Sequence, residues 1–211
     1  DALSALAASN DKSANSEACA TNGDNYIRPA DSCILGNKNE VIGALLGDSH
    51  ADAVSGALEA EISSSNKIGF KNMVFIGCPP VFGVYRNDSS DYERCNEYNE
   101  EVKAYLLSNK NISNIIIIAR WSHYLGEPDF NNMEGGVENS ATKASLDLYD
   151  SVSDLASPKD LVRGYLLDKY VETVNIYLDA GKRVFLVYPI PEVGWDVPKI
   201  SAKKIIFGAD N

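Results

Sequence analysis

The chain has 211 residues, 45% of them hydrophobic and 23% charged. That suits one compact domain, or one domain with a short extension, and excludes a disordered polyelectrolyte. Nineteen Lys and Arg against thirty Asp and Glu leave a formal net charge of −11; such a surface repels phosphate backbones and argues against a nucleic-acid partner. The longest strongly apolar run, Ile115 to Ala119, falls far short of the roughly 18–20 residues that span a bilayer.

Residues 1–39 are polar and turn-rich and read as an extended linker or wrapping arm. Asp1-Ala2-Leu3, followed by a Ser/Ala/Asn stretch, looks like the cut edge of a longer protein. The apolar run Glu40 to Leu46, ending at Gly47, predicts a buried parallel strand. Val54, Ala57, Leu58 and Ile62 follow at helical spacing. Met73 to Ile76 predicts a second strand, stopped by Gly77-Cys78-Pro79-Pro80. A polar loop over 81–95 precedes a helix over Glu97 to Leu107, with Val102, Tyr105 and Leu106 inward. Ile115 to Ala119 is the clearest strand, β-branched and apolar on both faces. Ala144 to Tyr149 is expected to form a short strand. Ser157-Pro158 is expected to start a long helix that ends at Gly181. Val184 to Tyr188 predicts the fourth strand, before Pro189-Ile190-Pro191. No strand or helix is expected beyond it. Strands alternating with helices predict a parallel sheet covered on both faces, with chemistry at the carboxyl ends of the strands.

Four cysteines stand at 19, 33, 78 and 95. Their spacings fit no tight zinc pair. Each successive pair flanks a loop rich in Gly, Pro, Asn or Asp, so Cys19–Cys33 and Cys78–Cys95 are the expected disulfides, and they imply an oxidising compartment. The alternative is four unrelated buried thiols in a reducing one. Asn87-Asp-Ser89 and Asn111-Ile-Ser113 match the N-glycosylation triplet, a pattern common by chance. No phosphate loop, dinucleotide fingerprint or metal cluster is present in the sequence, and no cofactor is expected.

Three segments lie at the carboxyl ends of predicted strands: Gly47-Asp48-Ser49-His50, Gly77-Cys78-Pro79-Pro80 and Arg120-Trp121-Ser122-His123. A serine where a strand gives way to a helix stands among free N–H groups that favour an anion, which suits a nucleophile. The plainer reading is a helix cap.

Gly47-Asp-Ser-His after the first buried strand resembles the first motif block of the SGNH (GDSL-like) esterase superfamily. An ordered set of features is similar, more narrowly, to the SGNH domains at the C-terminus of bacterial membrane acyltransferases that O-acetylate lipopolysaccharide O-antigen and related glycans. The set is Cys19, Cys33-Ile-Leu-Gly36, Gly47 to Asp52, Gly77-Cys-Pro-Pro80 with Cys95, Ile115 to Trp121, and Gly181 to Pro191. The resemblance implies Ser49 as nucleophile, with Asp48 pinning the turn. It implies Gly77 as the second-block glycine, with Gly83 as its rival. The third block lacks the superfamily's Asn; Arg120 or the Trp121 indole would take its place as oxyanion donor, packing being the other reading of Trp121. The superfamily's Asp-x-x-His is missing: the chain ends at Asp210-Asn211, and its histidines are His50 and His123. His123 is a weak candidate base without a visible carboxylate partner, and His50 is expected to point away or to support the turn. The chain as written is therefore expected to be inactive or nearly so.

These readings combine into a flavodoxin-like α/β/α sandwich over 40–211, lacking its C-terminal end. Its expected place is periplasmic, attached to the inner membrane through an N-terminal membrane acyltransferase domain. Its expected reaction is acetyl transfer through Ser49 to a glycan acceptor, with no metal. A carbohydrate O-acetylesterase and a non-catalytic glycan-binding scaffold are the alternatives.

Overall fold

Apolar runs in the middle of the chain build the centre of the sheet. The computed structural model describes residues 4, 16–65, 67–86, 88–125, 130–137, 146–148, 159–194 and 197–208. The strands are Ile34–Gly36 (β1), Val41–Gly47 (β2), Gly69–Val74 (β3), Val84–Arg86 (β4), Asn114–Ile118 (β5), Leu146–Leu148 (β6) and Arg183–Leu186 (β7). The helices are Ser16–Cys19 (α1), Ser49–Ser65 (α2), Cys95–Ser108 (α3), Trp121–Tyr124 (α4), Lys159–Asp179 (α5) and Val197–Phe207 (α6). The main sheet has the order β1-β3-β2-β5-β7, parallel except for β1. β4 and β6 form a separate antiparallel pair.

Side chains alternate across the pleat and so feed two cores. Ala44, Leu46, Met73, Ile115 and Ile117 pack with Tyr98, Val102 and Leu106 of α3 and Tyr177 of α5. Leu35, Leu45, Val74 and Ile118 pack on the other side with Ala51, Val54 and Leu58 of α2. The result is the expected three-layer α/β/α arrangement, consistent with the SGNH hydrolase fold. β3 lies on one side of β2 and β5 on the other, so the chain reverses its direction of travel at β2. In parallel sheets the crevice for chemistry opens at such a reversal, beyond the strands' carboxyl ends.

Several boundaries differ from the sequence reading. β3 starts at Gly69, four residues earlier than expected, because Lys71 and Asn72 interrupt the apolar run yet are buried. Their polar ends are met by the N-terminal segment: Lys71 Nζ donates to the carbonyls of Ala30 (2.7 Å) and Ser32 (3.1 Å), and Asn72 Nδ2 to that of Cys19 (3.3 Å). β7 ends at Leu186 rather than Tyr188, whose side chain is 89% exposed. β1 and β4 lie within stretches read as arm and loop; three-residue strands on a sheet edge carry too little pattern to find. α6 lies where no further element was expected. Pro198 in its first turn is compatible with a helix start, and its lysines mask the apolar positions. The expected helix start at Ser157-Pro158 lies outside the described residues, as do Asn87 and Asp210-Asn211. Among the described residues no helix is long and apolar enough to cross a membrane.

Both cysteine pairs are bonded, Cys19 to Cys33 and Cys78 to Cys95. The first joins α1 to the entry of β1; the second joins the loop after β3 to the start of α3. They fit an extracytoplasmic setting.

Candidate active site

The site is assembled where β2 and β5 end. Gly47 closes β2 with φ +155°, and a Cβ built there would lie 1.8 Å from the carbonyl oxygen of Ile118. Only glycine lets the two strand ends approach this closely. The turn delivers Asp48 inward and Ser49 outward: Asp48 is 1% exposed, and Ser49 is exposed.

The cap and the candidate nucleophile are different residues. The Asp48 carbonyl accepts the first helical bond from Asp52 N (3.1 Å), and its Oδ1 accepts from His50 N (2.8 Å). Asp48 is thus the N-cap of α2. Ser49 stands at the first helical position, where the N–H has no partner within the helix, and its hydroxyl is not consumed by capping. The second oxygen of Asp48 accepts from Arg120 N (3.0 Å) and the Tyr124 hydroxyl (2.7 Å). One buried carboxylate therefore ties the serine turn to the chain leaving β5. Burial, reinforced by the Asp48 charge and hydrogen bond, holds the Tyr124 phenol well above its ordinary range.

A second carboxylate, not anticipated from the sequence, reaches the same rim. Oε1 of Glu192, on the segment after β7, accepts from Arg120 Nε (3.0 Å) and the Ser122 hydroxyl (2.8 Å). The signal was an acidic residue just past the carboxyl end of a parallel strand, in Pro189-Ile-Pro-Glu192. Tyr124 was missed because an aromatic on one helical turn reads as core.

His50 is half-buried, and its Nδ1 is enclosed without a partner. Burial lowers its pKa and Arg120 acts in the same direction, against Asp48 and Glu192. His123 lies on α4 with its ring edge-on to Tyr124 (centroids 5.4 Å apart). Burial also lowers its pKa, with Arg120 and Arg86 adding to the effect. Among the described residues neither histidine is hydrogen-bonded to Ser49.

Gly77 turns sharply just beyond β3 at φ +78°, its missing Cβ leaving room for the Tyr92 ring. Its carbonyl accepts from the guanidinium of Arg86, which also pairs with Asp88 and stacks 3.6 Å from the Tyr92 ring centre. Gly83, the rival, lies beside α5, its carbonyl accepting from the Tyr165 hydroxyl (2.9 Å). Asn99 Nδ2 pins the intervening loop through the carbonyls of Pro79 (2.8 Å) and Val81 (3.1 Å). The Trp121 ring packs on Tyr170 (4.6 Å between centroids) and lines an apolar cleft of about 330 Å³ with Leu166, Leu186 and Tyr188. Among the described residues no group of three or more His, Cys, Asp or Glu is placed to hold a metal.

A family model described as "SGNH domain (fused to AT3 domains)" matches residues 18–210. No curated protein and no solved structure matches the chain.

Proposed function

This chain belongs to the family of SGNH domains fused to AT3 domains, and on that premise we propose that it is the extracytoplasmic domain of a glycan O-acetyltransferase. Family membership makes it an acyltransferase-associated, hydrolase-like domain. The reading adds the residues and the acceptor: an acetyl group passes through Ser49 to a sugar hydroxyl, as on lipopolysaccharide O-antigen. An attached inner-membrane acyltransferase domain supplies the acetyl donor.

In this reading Ser49 Oγ attacks the acetyl carbonyl carbon and its proton passes to a base. The bond to the donor's leaving group breaks, and that group takes up a proton. The acceptor hydroxyl then attacks the acetyl-serine, gives its own proton to the base, and Ser49 is regenerated. The reading assigns stabilisation of the developing oxyanion to the N–H groups of Ser49 and Gly77, with Arg120 or the Trp121 indole. Asp48 fixes the turn. The observation that carries the reading is an exposed serine at the first position of α2, at the carboxyl end of the strand where the chain reverses direction, whose capping duty is taken by the buried Asp48.

The test is Ser49→Ala in the natural gene, with acetyl content of the surface glycan measured by mass spectrometry. Abolished acetylation is expected; unchanged acetylation removes Ser49 from the reaction. Acetate release with and without a glycan acceptor separates transferase from esterase. One observation favours a non-catalytic, glycan-binding role instead: neither His50 nor His123 is bonded to Ser49, so these two side chains leave it without a base. Binding of acceptor glycan by a Ser49→Ala protein in cells whose acetylation is unaltered is the result that reading requires.

A further inference from the structure

We propose that Glu192 is a positioning residue of the Ser49 site, a charged clasp that holds the Arg120 guanidinium at the rim by gripping Nε and the neighbouring Ser122 hydroxyl with a single carboxylate oxygen. The inference rests on the Ser49 reading and adds a residue to it from the segment after β7, the strand paired with β5.

The geometry is that of a brace between two loops. Asp48 holds the Arg120 backbone N–H at 3.0 Å, and Glu192 holds its side chain at 3.0 Å. Ser122, two residues on, meets the same Glu192 oxygen at 2.8 Å. The Arg120 and Glu192 side chains are 22% and 20% exposed, so the pair is well withdrawn from solvent and less screened than a surface pair. An arginine has several side-chain torsions, and an unheld guanidinium samples many directions. Holding Nε fixes the plane of the fork and leaves its other N–H groups with one orientation. Glu192 itself follows Pro189 and Pro191, whose fixed φ limits where the carboxylate can move. The charges around His50, next to Ser49, are Asp48, Arg120 and Glu192, so the clasp belongs to the electrostatic environment of the serine turn.

Two readouts test this. The Arg120 Nε–H resonance of ¹⁵N-labelled protein reports the clasp without any reaction. Acetylation of the surface glycan, at equal protein level by immunoblot, reports its use. Glu192→Ala is expected to release the Nε–H to the shift and exchange rate of a free arginine. It is also expected to lower acetylation about tenfold or more, as misplacement of a charge-bearing group does. Glu192→Gln keeps an oxygen that accepts from both donors but loses the charge. It should give an intermediate resonance and recover part of the acetylation, and it carries the test should the alanine variant not accumulate. An Arg120 resonance unchanged in the alanine variant, or wild-type resonance and acetylation in the glutamine variant, overturns the clasp. A released arginine with intact acetylation, where Ser49→Ala abolishes it, overturns the role in the site while leaving Ser49 standing. Intact acetylation in Ser49→Ala overturns both.

Discussion

Replacing Asp48 by asparagine keeps the size of a side chain that is 1% exposed and changes only what its two ends can do. The carboxylate accepts three hydrogen bonds, from His50 N at 2.8 Å, Arg120 N at 3.0 Å and the Tyr124 hydroxyl at 2.7 Å. An amide has one accepting end. If its NH₂ meets the His50 N–H, that donor is orphaned. If it meets the other pair, the Tyr124 hydroxyl can rotate to accept, but the Arg120 N–H cannot. Either orientation leaves one main-chain N–H unsatisfied, at about 1–3 kcal/mol, and turns the surviving charge-assisted bonds neutral, at about 1 kcal/mol in all. The expected loss is about 3 kcal/mol, which for a domain of this size lowers the melting temperature by about 6–12 °C. Chemical denaturation at neutral pH measures the first and calorimetry the second. Tyr124→Phe removes one donor and no acceptor, so it should cost less than Asp48→Asn. The two changes should also be non-additive, because they share an oxygen. Asp48→Asn within 1 kcal/mol of the wild type, or strict additivity with Tyr124→Phe, would refute this account of the turn.

Gly47→Ala should be worse than any change to a neighbouring side chain. Its Cβ would meet the Ile118 carbonyl at 1.8 Å, and a loss of about 4 kcal/mol or more is expected, seen as lost cooperative unfolding. Cys78→Ser with Cys95→Ser opens a 17-residue separation and should lower stability by about 2–4 kcal/mol in denaturant titrations. Both histidines have pKa values lowered chiefly by burial. Between those lowered values and the ordinary histidine range the unfolded chain binds more protons, so stability is present above that range and lost as pH falls through it. The melting temperature should fall on acidification below neutrality, and His50→Gln with His123→Gln should flatten that fall. An equally steep pH dependence in the double variant would assign it to other groups.

Periodicity and β-branched runs determined from the sequence alone that β2, β5 and the long helices exist, in what order, and that the three candidate segments sit at strand ends. Polar residues hid the rest. Lys71 and Asn72 read as an interruption because their partners, the carbonyls of Ala30, Ser32 and Cys19, lie some forty to fifty residues away in the chain. The long helix α5 shows a similar limit: Leu166 and Tyr177 face the core, whereas Leu161, Val171 and Leu178 of the same apolar pattern are about half exposed or more.

At the site, the motif Gly47-Asp48-Ser49-His50 was legible, but not the division of labour within it. Local sequence allows either Asp48 or Ser49 to cap the helix. The choice follows from donors that only folding supplies, the Arg120 N–H and the Tyr124 hydroxyl, which draw the aspartate inward and leave the serine facing out. Glu192 was silent for the same reason, because its partners, Arg120 and Ser122, come from the segment that leaves β5 about seventy residues earlier. Covalent pattern determined which groups the chain carries and which strand ends present them. The pairing of buried charges with donors distant in sequence, dictated by the need to satisfy every polar group withdrawn from water, was decided by the tertiary structure.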